Sequence, residues 1–246
     1  MDRIRGACQD WVIQKLYRQS TKSIFTVPIE TVAWLQKEAD KAAFIPIGAN
    51  VPECIDRRFS PPLPNKEKTV IVFGVTGAPH IAREAADIAG VMREVSKAVV
   101  KLRLLVVGRG SIEAREHLAK GLDTCNVELD VRGVLPAEEI SREFERADVL
   151  LFVRGAITLQ RGSAIAAIAC GLPVVGFRGQ KVSGPLQEAG VEWSPWQDRD
   201  GLVLGLIRVL NDPDRWMELH ERNIEVQKNY FSWSRIAGRY RAILTA

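Results

Sequence analysis

The sequence predicts an α/β fold built on a doubly wound parallel sheet, Rossmann-like in its layering. Three observations carry that expectation. Five apolar runs rich in Val, Ile and Leu alternate with segments of helical period, the pattern of a parallel sheet covered on both faces. Glycine stands at or just past the end of every run. The 246 residues, 46% hydrophobic and 26% charged, suit one large globular domain and give no sign of disorder. Right-handed crossovers between parallel strands then place helices on both sides of the sheet.

Taken in order, Asp10 to Gln19 has the spacing of an amphipathic helix, and Ser23 to Pro28 reads as a short strand. Glu30 to Ala42 is expected to be a helix, with Val32, Leu35 and Ala39 on one face. The Pro- and Gly-rich stretch Phe44 to Glu53 is expected to be extended. Ser60 to Lys68, with three prolines and a charge cluster, reads as a linker. The regular alternation begins after it. Expected strands run Thr69–Gly74, Leu102–Gly108, Asn126–Gly133, Asp148–Val153 and Leu172–Phe177. Expected helices run Ala82–Val99, Ser111–Lys120, Pro136–Ala147 and Ser163–Cys170, and three more follow Asp200, broken at Asn211–Pro213 and near Phe231. Residues 1–64 are therefore expected to be an N-terminal appendage, and 65–246 one Rossmann-like domain.

Ligands of such sheets bind beyond the carboxyl ends of the strands, where strand order reverses. The residues there are Gly74 and Gly77, then Gly108, Arg109 and Gly110, then Gly133 and Leu135, then Arg161, Gly162 and Ser163. Glycine lets backbone approach a ligand, helix N-termini offer N–H groups, and guanidinium supplies charge, which together suit a diphosphate. Ser111 and Ser163 are placed to cap the helices they begin. The expectation is one cradle gathering Arg109, Arg161 and Ser163. Its bland alternative is ordinary turn glycine and surface arginine, and a single Gly-x-Gly is weak evidence by itself.

Other classes find little support. A net charge of +4 is too small to argue for nucleic acid. Cys8, Cys54, Cys125 and Cys170 form no metal-binding spacing with His80, His117 and His220, so no metal is expected. Reduced cysteines fit a cytoplasmic protein. No stretch approaches the roughly 18 apolar residues of a membrane span, and Met1 to Ala7 lacks the apolar core of a secretion signal. The basic residues from Arg235 to Arg241 read as a solvated helix face or as a contact with anionic lipid on the inner face of a membrane.

The run "ADVLLFV…GSAIAAIACGLPVVG" resembles the C-terminal half of the group-1 glycosyltransferases, the large retaining GT-B family. "FIPIGANVP", "LLVVGRGS", "VRGVLPAEEISREFERADVLL" and "NYFSWSRIAGRYRAIL" resemble further stretches of it in the same order, from about Lys41 onward. The resemblance implies the C-terminal half of a GT-B fold that binds a nucleoside diphosphate sugar without a metal. The acceptor would be held by an N-terminal half, either on the same chain or as a partner subunit, because only roughly forty residues precede the crossing. The product would be a cell-surface polysaccharide or glycolipid.

Two features depart from that family's pattern. Its paired glutamates fall here on Thr158 and Ala166, with seven residues between them, and its lysine after the first strand is replaced by the neighbourhood of His80 and Arg83. "QRGSAIAAIACGLPVV" resembles a branch that carries Arg-Gly-Ser instead, in which Arg161 and Ser163 serve the diphosphate. Three readings stay open: hexosyl transfer from a nucleoside diphosphate sugar to a saccharide or lipid-linked acceptor, a non-catalytic nucleotide-sugar-binding module, and a sugar-nucleotide epimerase. The last needs acid–base groups, for which His80 and His117 are weak candidates. No catalytic residue is assigned. Trp193 and Trp196 lie near the expected rim and could stack a ring or pack in the core.

Overall fold

A computed structural model describes residues 2–37, 39–52, 54, 60–64 and 66–245. Met1, Glu38, Glu53 and Asn65 belong to the N-terminal segment, the expected helix, the extended stretch and the linker of the sequence reading, and lie outside the described residues.

Six strands form one parallel sheet: β3 (Lys68–Phe73), β4 (Leu102–Val107), β5 (Val127–Gly133), β6 (Val149–Ala156), β7 (Val174–Phe177) and β8 (Val191–Ser194). Their order is β5-β4-β3-β6-β7-β8, so the winding direction reverses between β3 and β6. A separate two-stranded parallel sheet, β1 (Ser23–Phe25) with β2 (Ala42–Phe44), precedes it. Beside that small sheet, Tyr17 from helix α1 (Asp2–Gln19) meets Phe25 and Trp34 in an edge-on aromatic cluster.

Helices cover both faces, as the apolar strands require. One core packs α2 (Ile81–Val95), α3 (Ser111–Leu122) and α6 (Arg199–Asn211) on Val70, Val72, Leu104 and Val106. The opposite core packs α4 (Ala137–Arg146) and α5 (Gly162–Ala169) on Ile71, Leu105 and Leu150. Helix α7 (Pro213–Val226) reaches both, with Trp216 and Leu219 in the first core and Val226 in the second. Asp212 caps it, accepting from the N–H groups of Asp214 and Arg215, and Pro213 takes the first position, where a missing N–H costs nothing. A π-turn, Gln227–Phe231, leads into α8 (Trp233–Leu244).

Two expectations need correction. Glu30 to Ala42 is not one helix: two 3₁₀ turns, Ile29–Thr31 and Ala33–Lys37, are followed by β2. Thr31 Oγ1 donates to the carbonyl of Pro28 and Val32 is extended, so a β-branched pair with a competing side-chain bond stops the helix. The sheet also has a sixth strand. Glu192 breaks the apolar pattern of β8, yet it is buried and paired with Arg208 and Arg215.

Asp148 ends the α4–β6 connection and accepts the N–H of Thr69 at 2.6 Å. Burial pushes its carboxyl up to about 6, against the opposing pull of that hydrogen bond and of Lys68. A carboxyl raised in the fold binds its proton more tightly there than in the unfolded chain. It therefore costs stability above pH 6, and the cost is relieved as pH falls from about 6 toward 4. Denaturant titrations across that window should show wild type gaining about 2 kcal/mol relative to Asp148→Asn as pH falls. Parallel curves for the two proteins would contradict the shift.

Candidate functional site

The strand ends form one rim, laced by backbone hydrogen bonds. Gly74 N–H donates to Val107, Val75 N–H to Arg109, and Gly108 N–H to Gly133, at 2.6–2.8 Å. Gly110 has φ +74°, and a Cβ there would lie 2.2 Å from the Val75 carbonyl, so only glycine lets β3 and β4 close in this way.

Where the winding reverses, the pairing of β6 with β7 breaks: Phe152 pairs Gly176, but the next pair is Ala156 with Phe177. The intervening residues bulge from the ladder, and a bulge of this kind re-aims side chains. It carries Arg154 into a cleft of about 730 Å³ between β3 and β6. Arg154 Nη2 donates to the Phe73 carbonyl at 3.0 Å and to Ser163 Oγ at 2.6 Å. Its Nε stands 3.8 Å from Glu84 Oε1. Burial pushes the Arg154 guanidinium below its usual range; Glu84 opposes that shift and Arg161 adds to it. Gly74 has φ +78°, a backbone state strained for any side chain, and a Cβ there would meet Arg154 at 3.4 Å, in ordinary contact.

Arg161 comes from the N-cap position of α5, and a Cβ on Gly155 would lie 3.5 Å from its Nη2 and 3.7 Å from Trp196. Arg154 and Arg161 thus stand beside the start of α5, whose second residue, Ser163, bonds Arg154. That arrangement gives a site for anionic oxygens. Thr76, His80, Arg83 and Glu84 form the β3 side of the cleft. Trp196, 53% exposed and edge-on to Phe177, forms the far side with Gln197 and Arg199.

Of the expected cradle, the structure brings together Gly74, Arg161, Gly162 and Ser163 beside Arg154. Gly162 is exposed, with open space where a side chain would be. Arg109 holds Val75 through its backbone, and its exposed side chain is not among those lining the cleft. Gly108, Gly110 and Gly133 belong to the neighbouring β4–β5 rim. Leu135 packs half-buried on the α4–α5 core, and Gly77 is exposed in the β3–α2 loop.

Neither serine is the helix cap. Gly110 and Arg161 hold the cap positions, Ser111 Oγ donates to the Gly108 carbonyl, and Ser163 Oγ serves Arg154. Trp193 packs against the core, whereas Trp196 faces the cleft. His117 is exposed on α3, and His80 is exposed at the cleft edge. Among the described residues, no group of three or more His, Cys, Asp or Glu could hold a metal ion, and no helix is long and apolar enough to cross a membrane.

The solved structures that share this fold are distant in sequence. TarM of S. aureus, in a complex with fondaparinux, alpha-GlcNAc-glycerol and UDP, superposes with a TM-score of 0.68 at 13% identity, over 93% of this chain and 45% of that one. Sucrose-phosphate synthase from Thermosynechococcus elongatus gives 0.63 at 22% identity, over 97% of this chain and 62% of that one. HepE of Anabaena, in a complex with UDP and glucose, gives 0.58 at 14%, over 93% and 64%. The chain thus spans less than two thirds of the length of these structures. No curated protein matches it in sequence. The family model described as "Glycosyl transferases group 1" matches residues 67–212, which take in β3 through α6 and both sides of the cleft. The chain belongs to the group-1 glycosyl transferase family.

Proposed function

We propose that the chain is the donor-binding lobe of a glycosyltransferase. The cleft between β3 and β6 holds the diphosphate of a nucleoside diphosphate sugar, and a second α/β lobe, on the same chain or a partner subunit, presents the acceptor. The observation that carries this reading is Arg154, carried out of the ladder by a bulge and locked between Phe73 and Ser163, beside Arg161 at the start of α5. Charge develops on the diphosphate as the bond to the sugar's anomeric carbon breaks. The fixed guanidinium of Arg154, the exposed one of Arg161 and a helix N-terminus stabilise that charge most where it is greatest, in the transition state. Cationic protein groups take over the neutralising role that a metal would have.

The group transferred is a hexose, and the acceptor is a saccharide or a lipid-linked acceptor on the cytoplasmic side of a membrane. The UDP in the TarM and HepE complexes supports a uridine nucleotide as the first ligand to test. Helix α8 carries Arg235, Arg239 and Arg241 and no acidic residue, which fits a peripheral contact with anionic lipid. Arg161→Ala should weaken UDP or GDP binding by about 1.5–3 kcal/mol in calorimetry, the worth of a charge-assisted contact. Unchanged affinity would remove Arg161 from the site, and a wild-type chain that binds neither nucleotide would sink the reading.

One observation favours a second reading, a nucleotide-sugar-binding module without turnover. Thr158 is exposed and Ala166 is sealed in the core, so neither offers the carboxylate that the family resemblance leads one to expect. Donor hydrolysis by the chain together with a second lobe would exclude it.

A further inference from the structure

Glu84 sits in the first turn of α2, on the β3 side of the cleft, and is only 7% exposed. Its two carboxylate oxygens have different fates. Oε2 accepts the N–H of Thr76 at 2.8 Å, which fixes the group in place. Oε1 is buried and has no hydrogen-bond donor among the described residues. The charge beside it, Arg154 Nε, lies 3.8 Å away, beyond hydrogen-bond reach. Arg154 is not at liberty to close that gap, because its Nη2 is already shared between Phe73 and Ser163. A buried acceptor left unfilled costs free energy, and such atoms are rare unless a ligand or water completes them.

We infer that Glu84 Oε1 accepts a hydroxyl from the ring of the bound nucleotide sugar. This rests on the reading of the cleft as a diphosphate site. A carboxylate repels phosphate oxygens and welcomes an O–H donor, so Glu84 separates the hydroxyl-bearing part of the ligand from the part the arginines hold. The other cleft carboxylate, Asp87, is already paired with Arg199. Because Oε1 is closed to bulk water, filling it requires the side chains over it to move as the ligand seats. Once filled, Oε1 makes a bond sheltered from solvent, where exchanging a hydroxyl for hydrogen is penalised most. Glu84 is thus a specificity-determining residue, and its target is a hydroxyl of either the ribose or the transferred sugar.

Calorimetry of the full chain with three probes separates the outcomes: inorganic pyrophosphate, UDP and UDP-glucose. Glu84→Gln, which keeps the shape and an acceptor for Thr76, should leave pyrophosphate affinity unchanged or raised. It should weaken UDP-glucose by about ten- to a hundred-fold. A parallel loss for UDP assigns the contact to the ribose; a loss confined to UDP-glucose assigns it to the sugar. Glu84→Asp, which draws the carboxylate back, should weaken the same ligands, and its intact pyrophosphate binding certifies the folded cleft. Equal losses for all three probes would mean that Glu84 only supports Arg154, and no loss for any would mean that Oε1 meets no ligand; either overturns the inference while the diphosphate reading stands. A wild-type chain that binds none of the probes overturns both.

Discussion

Gly190→Ala is expected to lower the unfolding free energy by roughly 3–5 kcal/mol, read in urea as an earlier midpoint at unchanged slope. Gly190 lies just before β8, and a Cβ there would sit 1.8 Å from the carbonyl oxygen of Leu219. That oxygen is backbone, within the middle of α7, so no rotamer change relieves the clash; the helix must move off the sheet. The same glycine is fastened to α7 by Asn223, which is fully buried. Asn223 Oδ1 accepts Gly190 N–H at 2.6 Å, while its Nδ2 donates to Leu172 at 2.8 Å and to Gly190 at 3.2 Å. Leu219 and Asn223 are one helical turn apart, so a shift that makes room for a methyl at one strains the bonds at the other. Overpacking and unmade buried hydrogen bonds then act together. Asn223→Leu should be nearly as damaging, since it strands the buried Gly190 N–H and Leu172 carbonyl and leaves the Gly190 carbonyl only its long bond from the Val174 N–H. If either variant unfolds within about 0.5 kcal/mol of wild type, this pairing does not hold α7 on the sheet.

This clamp marks where sequence reasoning stops. Gly190 precedes a strand whose four residues include a buried Glu192, and Asn223 is a polar residue in an amphipathic helix. Neither carries a periodic signal, because what fixes them is a contact between segments far apart in the chain. The elements that were legible, β3, β4 and the helix α5, are those whose own apolar composition demands burial on every side. The helix expected over Glu30 to Ala42 failed for the converse reason: its spacing was helical, but Thr31 and Val32 favour other backbone states.

The cleft was half legible for similar reasons. Glycine and arginine at strand ends pointed to the rim that bears the cleft, and strand order, invisible in one sequence, decided which loops share it. With β4 and β5 on one side of β3 and β6 on the other, Arg161 joins Gly74 while the Arg109 side chain stays outside. Arg154 did carry a sequence signal, a cation embedded in the strand run "LLFVRGA" just before a glycine. A charge that interrupts an otherwise buried strand is there for a partner, and here the bulge between Phe152 and Ala156 delivers it. Glu84 gave no such sign, being one of many acidic residues on helix first turns.

Arg154→Ala should cost more than any other single change in the cleft. Its side chain is only 26% exposed and joins three elements, accepting nothing and donating to Phe73 and Ser163. Without it, diphosphate binding should fall by about 3–5 kcal/mol, against 1.5–3 for the exposed Arg161, because a preorganised, partly desolvated guanidinium is worth more than a solvated one. Lysine should not rescue it, since a single ammonium cannot hold the Phe73 and Ser163 contacts in a fixed fork while facing the ligand. The variant should also melt earlier, because Glu84 is left buried without its neighbouring cation. Adding Glu84→Gln separates the two effects. The double variant should recover most of the lost stability and none of the pyrophosphate affinity, since removing the stranded charge repairs the fold but supplies no cation. If affinity returns with stability, Arg154 acts only by holding the cleft together, and the phosphate charge must be met by Arg161 and the start of α5 alone.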